Sequence, residues 1–117
     1  MKLSAALAGI KIKHKGKTID ALLLNCGPNT LKVMLTEIQR TYAKNNANPL
    51  NITELLGVMQ SNGIKPLRGP ITIDLAVLER AGVITADNTW RETLIKPNYE
   101  KVVITIDDEG RTVVKLD

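Results

Sequence analysis

An α+β fold is predicted for this chain of 117 residues, with three central helices and a β-hairpin on either side of them in sequence. Three observations predict it. From Ala8 apolar residues alternate with a period of two, with Ile10 and Ile12 against Lys11 and Lys13, ahead of a turn and an apolar return strand that ends at Leu24. Apolar residues recur at helical spacing from Leu31 to Ala81, and return to a period of two from Val83 onward. Gly82 stands at the second switch, where a chain leaving a helix favours glycine. The parts form a single domain over 1–117: a basic hairpin (1–25), a core (29–95) and a C-terminal hairpin (101–117).

In the first hairpin Ile10 and Ile12 project to one face and Lys11 and Lys13 to the other, the mark of a half-buried strand. Lys15-Gly16 supplies the turn, and Thr18–Leu24 is the expected return strand. Asn25-Cys26-Gly27-Pro28 stops it. Leu31, Met34, Leu35, Ile38 and Tyr42 then mark one stripe of a helix over about 30–44. Asn29 or Thr30 is its expected cap and Asn45–Pro49 its end.

Asn51-Ile52-Thr53-Glu54 has the spacing of a capping box and opens a second helix, which Ser61-Asn62-Gly63 closes. A polar connector, Lys65–Gly69, leads to a third helix expected to begin near Pro70, with Ile71, Leu75, Leu78 and Ala81 facing inward. Val83–Thr85 and Trp90–Ile95 are the expected strands of a hairpin turning at Ala86–Thr89. Val102–Ile106 and Thr112–Leu116 form the last hairpin around Asp107-Asp108-Glu109-Gly110.

Composition narrows the functional classes. Hydrophobic residues make up 44% and charged residues 24%, within the globular range and outside that of disordered chains. One cysteine, Cys26, leaves no internal disulfide, and one histidine, His14, with that cysteine cannot supply a multi-ligand zinc site. Asp107, Asp108 and Glu109 offer too few oxygens at set spacing for calcium, so a solvated turn is expected there. No glycine-rich phosphate loop, zinc-protease helix or serine-nucleophile elbow occurs, and no catalytic role, cofactor, metal or small-molecule substrate is expected. The apolar stretch Leu3–Ile10 meets Lys11 at once, and nothing approaches a membrane span; a cytoplasmic location without membrane association is the expectation.

Of the formal net charge of +4, residues 1–17 hold five lysines and no acid, while the rest of the chain sums to −1. Lys11, Lys13, Lys15 and Lys17 are therefore where a polyanion would first be met, unless they serve only to keep an exposed strand soluble.

The stretch from Leu31 to Ile95, three helices followed by strand, turn and strand, resembles the winged-helix variant of the helix-turn-helix DNA-binding family. The resemblance rests on Asn51-Ile52-Thr53-Glu54-Leu55-Leu56 and on Leu78-Glu79-Arg80-Ala81-Gly82-Val83-Ile84, which is similar to the exit from a recognition helix into a wing. It implies a three-helix winged-helix-like core that docks on duplex DNA, a transcriptional or replication regulator, with helix three in the major groove and helix two across the backbone. Helix three would present Thr72, Ile73, Asp74, Val77 and Arg80, with Arg68 just before it. Lys65 and Arg68 would meet phosphate, and the wing tip would present Asn88, Trp90 and Arg91.

Ile73 and Val77 equally suit a dry protein contact. The alternative is thus a non-catalytic interaction module that uses the same scaffold for partner docking or for a homodimer. Trp90 has two readings, a base-stacking or partner-anchoring residue and a lid on the open end of the helical core, the latter being the expectation. His14 is expected to be solvated and Cys26 to behave as a small apolar residue.

Overall fold

The computed structural model describes residues 10–19 and 24–117. Residues 1–9, with most of the apolar stretch Leu3–Ile10, and positions 20–23 of the expected return strand lie outside the described residues. Strands β1 (Ile10–His14) and β2 (Lys17–Ile19) precede helix α1 (Pro28–Lys44). Strand β3 (Leu50–Asn51) leads into α2 (Ile52–Ser61) and α3 (Arg68–Arg80). Strands β4 (Ile84–Asn88), β5 (Thr93–Pro97), β6 (Val102–Ile106) and β7 (Thr112–Leu116) follow. The α+β class therefore holds.

The strands form two sheets, with orders β2-β1-β7-β6 and β3-β5-β4. The terminal hairpins join: β1 runs parallel to β7, with Ile10 opposite Thr112 and His14 opposite Leu116. This register fixes the two faces of the first sheet. Ile10, Ile12, Val114 and Leu116 are buried on the side of the shared core, and Lys11, Lys13 and Lys115 lie on the other. The core contains no phenylalanine; α1 contributes Leu31, Met34, Leu35 and Ile38, α2 Leu55 and Met59, and α3 Ile71, Leu75 and Leu78. Tyr99 is nine-tenths buried, its hydroxyl donating to the Leu35 carbonyl at 2.6 Å, and so fastens the linker between β5 and β6 to α1.

Local chemistry explains most boundaries. Lys15 and Gly16 both have positive φ, 50° and 84°, the signature of a two-residue hairpin turn. The capping box of α2 is closed in both directions: the Glu54 amide donates to Asn51 Oδ1 at 2.8 Å, and the Asn51 amide to Glu54 Oε1 at 3.2 Å. Gly82, with φ 83°, ends α3 where a residue with Cβ would be strained.

Several expectations are corrected. Helix α1 starts at Pro28, not near Thr30. Gly27 occupies the capping position without a side-chain bond, because proline at the first position needs no acceptor for an N–H it lacks. Helix α3 starts at Arg68. The β4–β5 hairpin turns three residues later than expected: β4 continues to Asn88, and Trp90 and Arg91 fall in the turn rather than in a strand. Thr89 sets this turn. Its hydroxyl and its amide both donate to the Glu92 carbonyl at 2.8 Å, and its hydroxyl oxygen accepts from the Glu92 amide at 3.0 Å.

Candidate nucleic-acid interface

Helix α3 packs Ile71, Leu75 and Leu78 into the core, and one acidic side chain shares that buried face. Asp74 is fully buried, and its carboxylate accepts from the Asn25 amide (2.6 Å), the Cys26 amide (2.9 Å) and Asn25 Nδ2 (3.2 Å). It was expected on the outward side of the helix. It instead points inward because two backbone N–H groups in the bend before α1 need an acceptor, and a carboxylate satisfies both. The outward side is left with Thr72, Ile73 and Arg80 exposed and Val77 half-buried, flanked by Arg68 and Lys65.

Arg68 donates from its guanidinium to Thr53 Oγ1 at 2.8 Å, fixing the start of α3 against the first turn of α2. The Thr72 hydroxyl donates back to the Arg68 carbonyl at 2.7 Å. The first turn of α3 carries no acidic residue and its N-cap, Leu67, makes no side-chain bond, so the positive end of the helix dipole stays unmasked. Leu67 and Ile73 are 70% and 57% exposed.

The β4–β5 turn is a braced platform. Asn51 Nδ2 donates to Glu92 Oε1 at 2.9 Å, tying the turn to the cap of α2, and the Thr93 hydroxyl donates to Asn88 Oδ1 at 2.6 Å. Trp90 stands on this platform 86% exposed, with the Arg91 guanidinium 4.4 Å from its ring centre. The expectation that Trp90 closes the core is thus corrected: the late turn carries it outward.

The lysines divide. Lys11, half-buried, and Lys13 share the outer face of the first sheet with Lys115, which the sequence reading missed because only the parallel pairing places it beside Lys13. Lys13, Lys15 and Lys115 line one shallow depression with Thr18 and Asp117. Lys17 is exposed but opposite His14, so it belongs to the other face. Like charges on adjacent strands repel, and Lys115 has a single carboxylate within reach, Asp117 at 3.8 Å. Among the described residues, no carboxylate pairs with Lys11, Lys13, Lys15, Lys17, Lys65, Arg68, Arg80 or Arg91.

The site residues therefore form two groups on different elements. One comprises α3, its connector and the β4–β5 turn; the other is the lysine face of the first sheet.

Four other titratable groups are held within the fold. His14 is buried, not solvated as expected, with Nε2 3.0 Å from the Asn98 carbonyl oxygen. Cys26 is half-buried; burial, followed by the neighbouring Asp74 charge, pushes its thiol from the ordinary 9.0 up to about 12, which leaves it a poor nucleophile. Burial likewise raises the Tyr99 phenol. Asp107 is held below the usual carboxylate range, first by the Arg111 amide and then by the Glu109 amide and the Arg111 guanidinium. Among the described residues, no three His, Cys, Asp or Glu side chains converge as a metal site, and no helix is long and apolar enough to cross a membrane.

No family model, curated protein or solved structure matches this chain.

Proposed function

We propose that this protein is a small, non-catalytic DNA-binding protein, a transcriptional or replication regulator, that docks α3 and the β4–β5 turn on duplex DNA as a winged helix does. The element order α1-β3-α2-α3-β4-β5, with a sheet ordered β3-β5-β4, supports a winged-helix reading of the core. The observation that carries the proposal is Trp90. An indole held 86% exposed on a braced turn, with a guanidinium over its ring, costs solvation until it stacks on something. A base or sugar at the groove edge fits it.

The inward turn of Asp74 supports the same reading, since it removes from α3 a carboxylate that phosphates would repel. Arg68 and Lys65 would then contact the backbone, Thr72 and Arg80 the groove, and Lys11, Lys13 and Lys15 would add contacts that do not depend on sequence, Lys17 lying on the opposite face of that sheet.

A labelled duplex titrated at several salt concentrations tests this. Affinity should fall with a log–log slope of about −0.9 per phosphate contacted. Absence of binding at about 50 mM salt eliminates the proposal. A second reading rests on Leu67 and Ile73, both strongly exposed around the start of α3: a module that docks a protein partner there. Loss of a partner with Ile73→Lys, in a protein that never binds duplex, would favour it.

A further inference from the structure

We propose that β6 is a dimerisation edge, at which two copies of this chain pair their β6 strands antiparallel about Ile104, with Lys101 of each beside Asp107 of the other. The inference is independent of the DNA reading. β6 is the outer strand of its sheet, and among the described residues no strand pairs with its far side. Outer strands are ordinarily short, charged or broken by proline. The opposite edge follows that rule at its start, where β2 begins with exposed Lys17. β6 does not. Its five residues, Val102-Val103-Ile104-Thr105-Ile106, hold no charge, proline or glycine, and Val103, Ile104 and Ile106 are 43%, 46% and 72% exposed.

The backbone has the right phase. The Asp107 amide donates to the Arg111 carbonyl and the Asp117 amide to the Lys101 carbonyl, so the odd-numbered positions face β7. The N–H and C=O groups of Val102, Ile104 and Ile106 therefore point to the open edge. A two-fold axis at Ile104 makes these three residues the hydrogen-bonded positions, pairing Ile104 with itself and Val102 with Ile106. Val102, Ile104 and Ile106 lie on the same face as buried Val114 and Leu116. Pairing therefore covers Ile106, the most exposed of them, with apolar side chains of the partner.

Charge selects the direction. The strand begins after Lys101 and ends in Asp107-Asp108-Glu109, three acids against the single cation paired with them, Arg111. The antiparallel arrangement sets cation against acid at both ends, whereas the parallel one sets Lys101 against Lys101 and acid against acid. Two acids share the basic end: Asp117, just past β7, is paired with Lys115, and Glu100 lies at a bend before the strand begins.

Sedimentation of the full chain across a dilution series should show a concentration-dependent dimer of twice 12.8 kDa. Ile104→Lys should sediment as monomer with an unchanged circular dichroism spectrum. In a Cys26→Ala background, Ile104→Cys should form a disulfide dimer with diamide, since a hydrogen-bonded antiparallel pair holds its Cα atoms about 5.5 Å apart. Val102→Cys should not, because its two copies would be about 14 Å apart. This comparison decides the matter even if Ile104→Lys fails to fold. A wild-type chain monomeric throughout, a folded Ile104→Lys that stays dimeric, or equal linking of both cysteine variants would overturn the proposal.

Discussion

Asp74 shows how one side chain can decide which surface a helix offers. Its carboxylate receives two backbone amides and a side-chain amide in a fully buried position. Asp74→Ala would strand those donors and should cost about 2–3 kcal/mol in a urea denaturation. The bonds themselves left no local sign, because the acceptor and its donors are 48 and 49 positions apart; yet Asp74 stands three residues after Ile71 and four before Leu78, on the inward stripe, and it was the winged-helix resemblance that assigned it to the outward side. Cys26 beside it was legible as a small, unreactive residue. Its thiol keeps its proton more tightly in the folded chain than in the unfolded one, so its contribution to stability is complete below pH 9 and lost as pH rises toward about 12. Cys26→Ala should flatten that alkaline decline in a pH series of thermal melts.

At the scale of the element, boundaries written in local chemistry were readable and those set at a distance were not. The capping box of α2 and the glycine after α3 follow from residues within a few positions of each other. Asn51→Ala should cost about 1 kcal/mol, plus its bond to Glu92, and so loosen the β4–β5 turn. That turn was misread because Trp90-Arg91-Glu92-Thr93 has the look of a strand, while the Thr89–Glu92 bonds that close the loop leave no pattern of hydrophobicity. The shift moves Trp90 from the core to the surface, where the proposed docking would use it. Trp90→Ala should leave the melting temperature unchanged and weaken duplex binding by about 1–3 kcal/mol, on the order of five- to 150-fold. Arg80→Ala should relax base preference, whereas Lys13→Ala should weaken all duplexes alike; binding to duplexes of varied sequence separates the two.

Across the whole molecule, the parallel pairing of β1 with β7 has the largest effect. Each hairpin was legible from its alternation, but strands about a hundred positions apart carry no local sign that they pair. Once paired they place Lys115 beside Lys13, extending a basic face that the first seventeen residues had only begun. The α+β class and the helix order were legible throughout, because period and capping encode them.

Trp90 is the single tryptophan of the chain and therefore a native reporter of the proposed contact. Titrating unlabelled duplex into the protein at low salt should quench its emission to a plateau, and added salt should reverse the quenching. Emission that stays constant in excess duplex, from a protein whose far-ultraviolet spectrum shows it folded, would contradict docking through the β4–β5 turn.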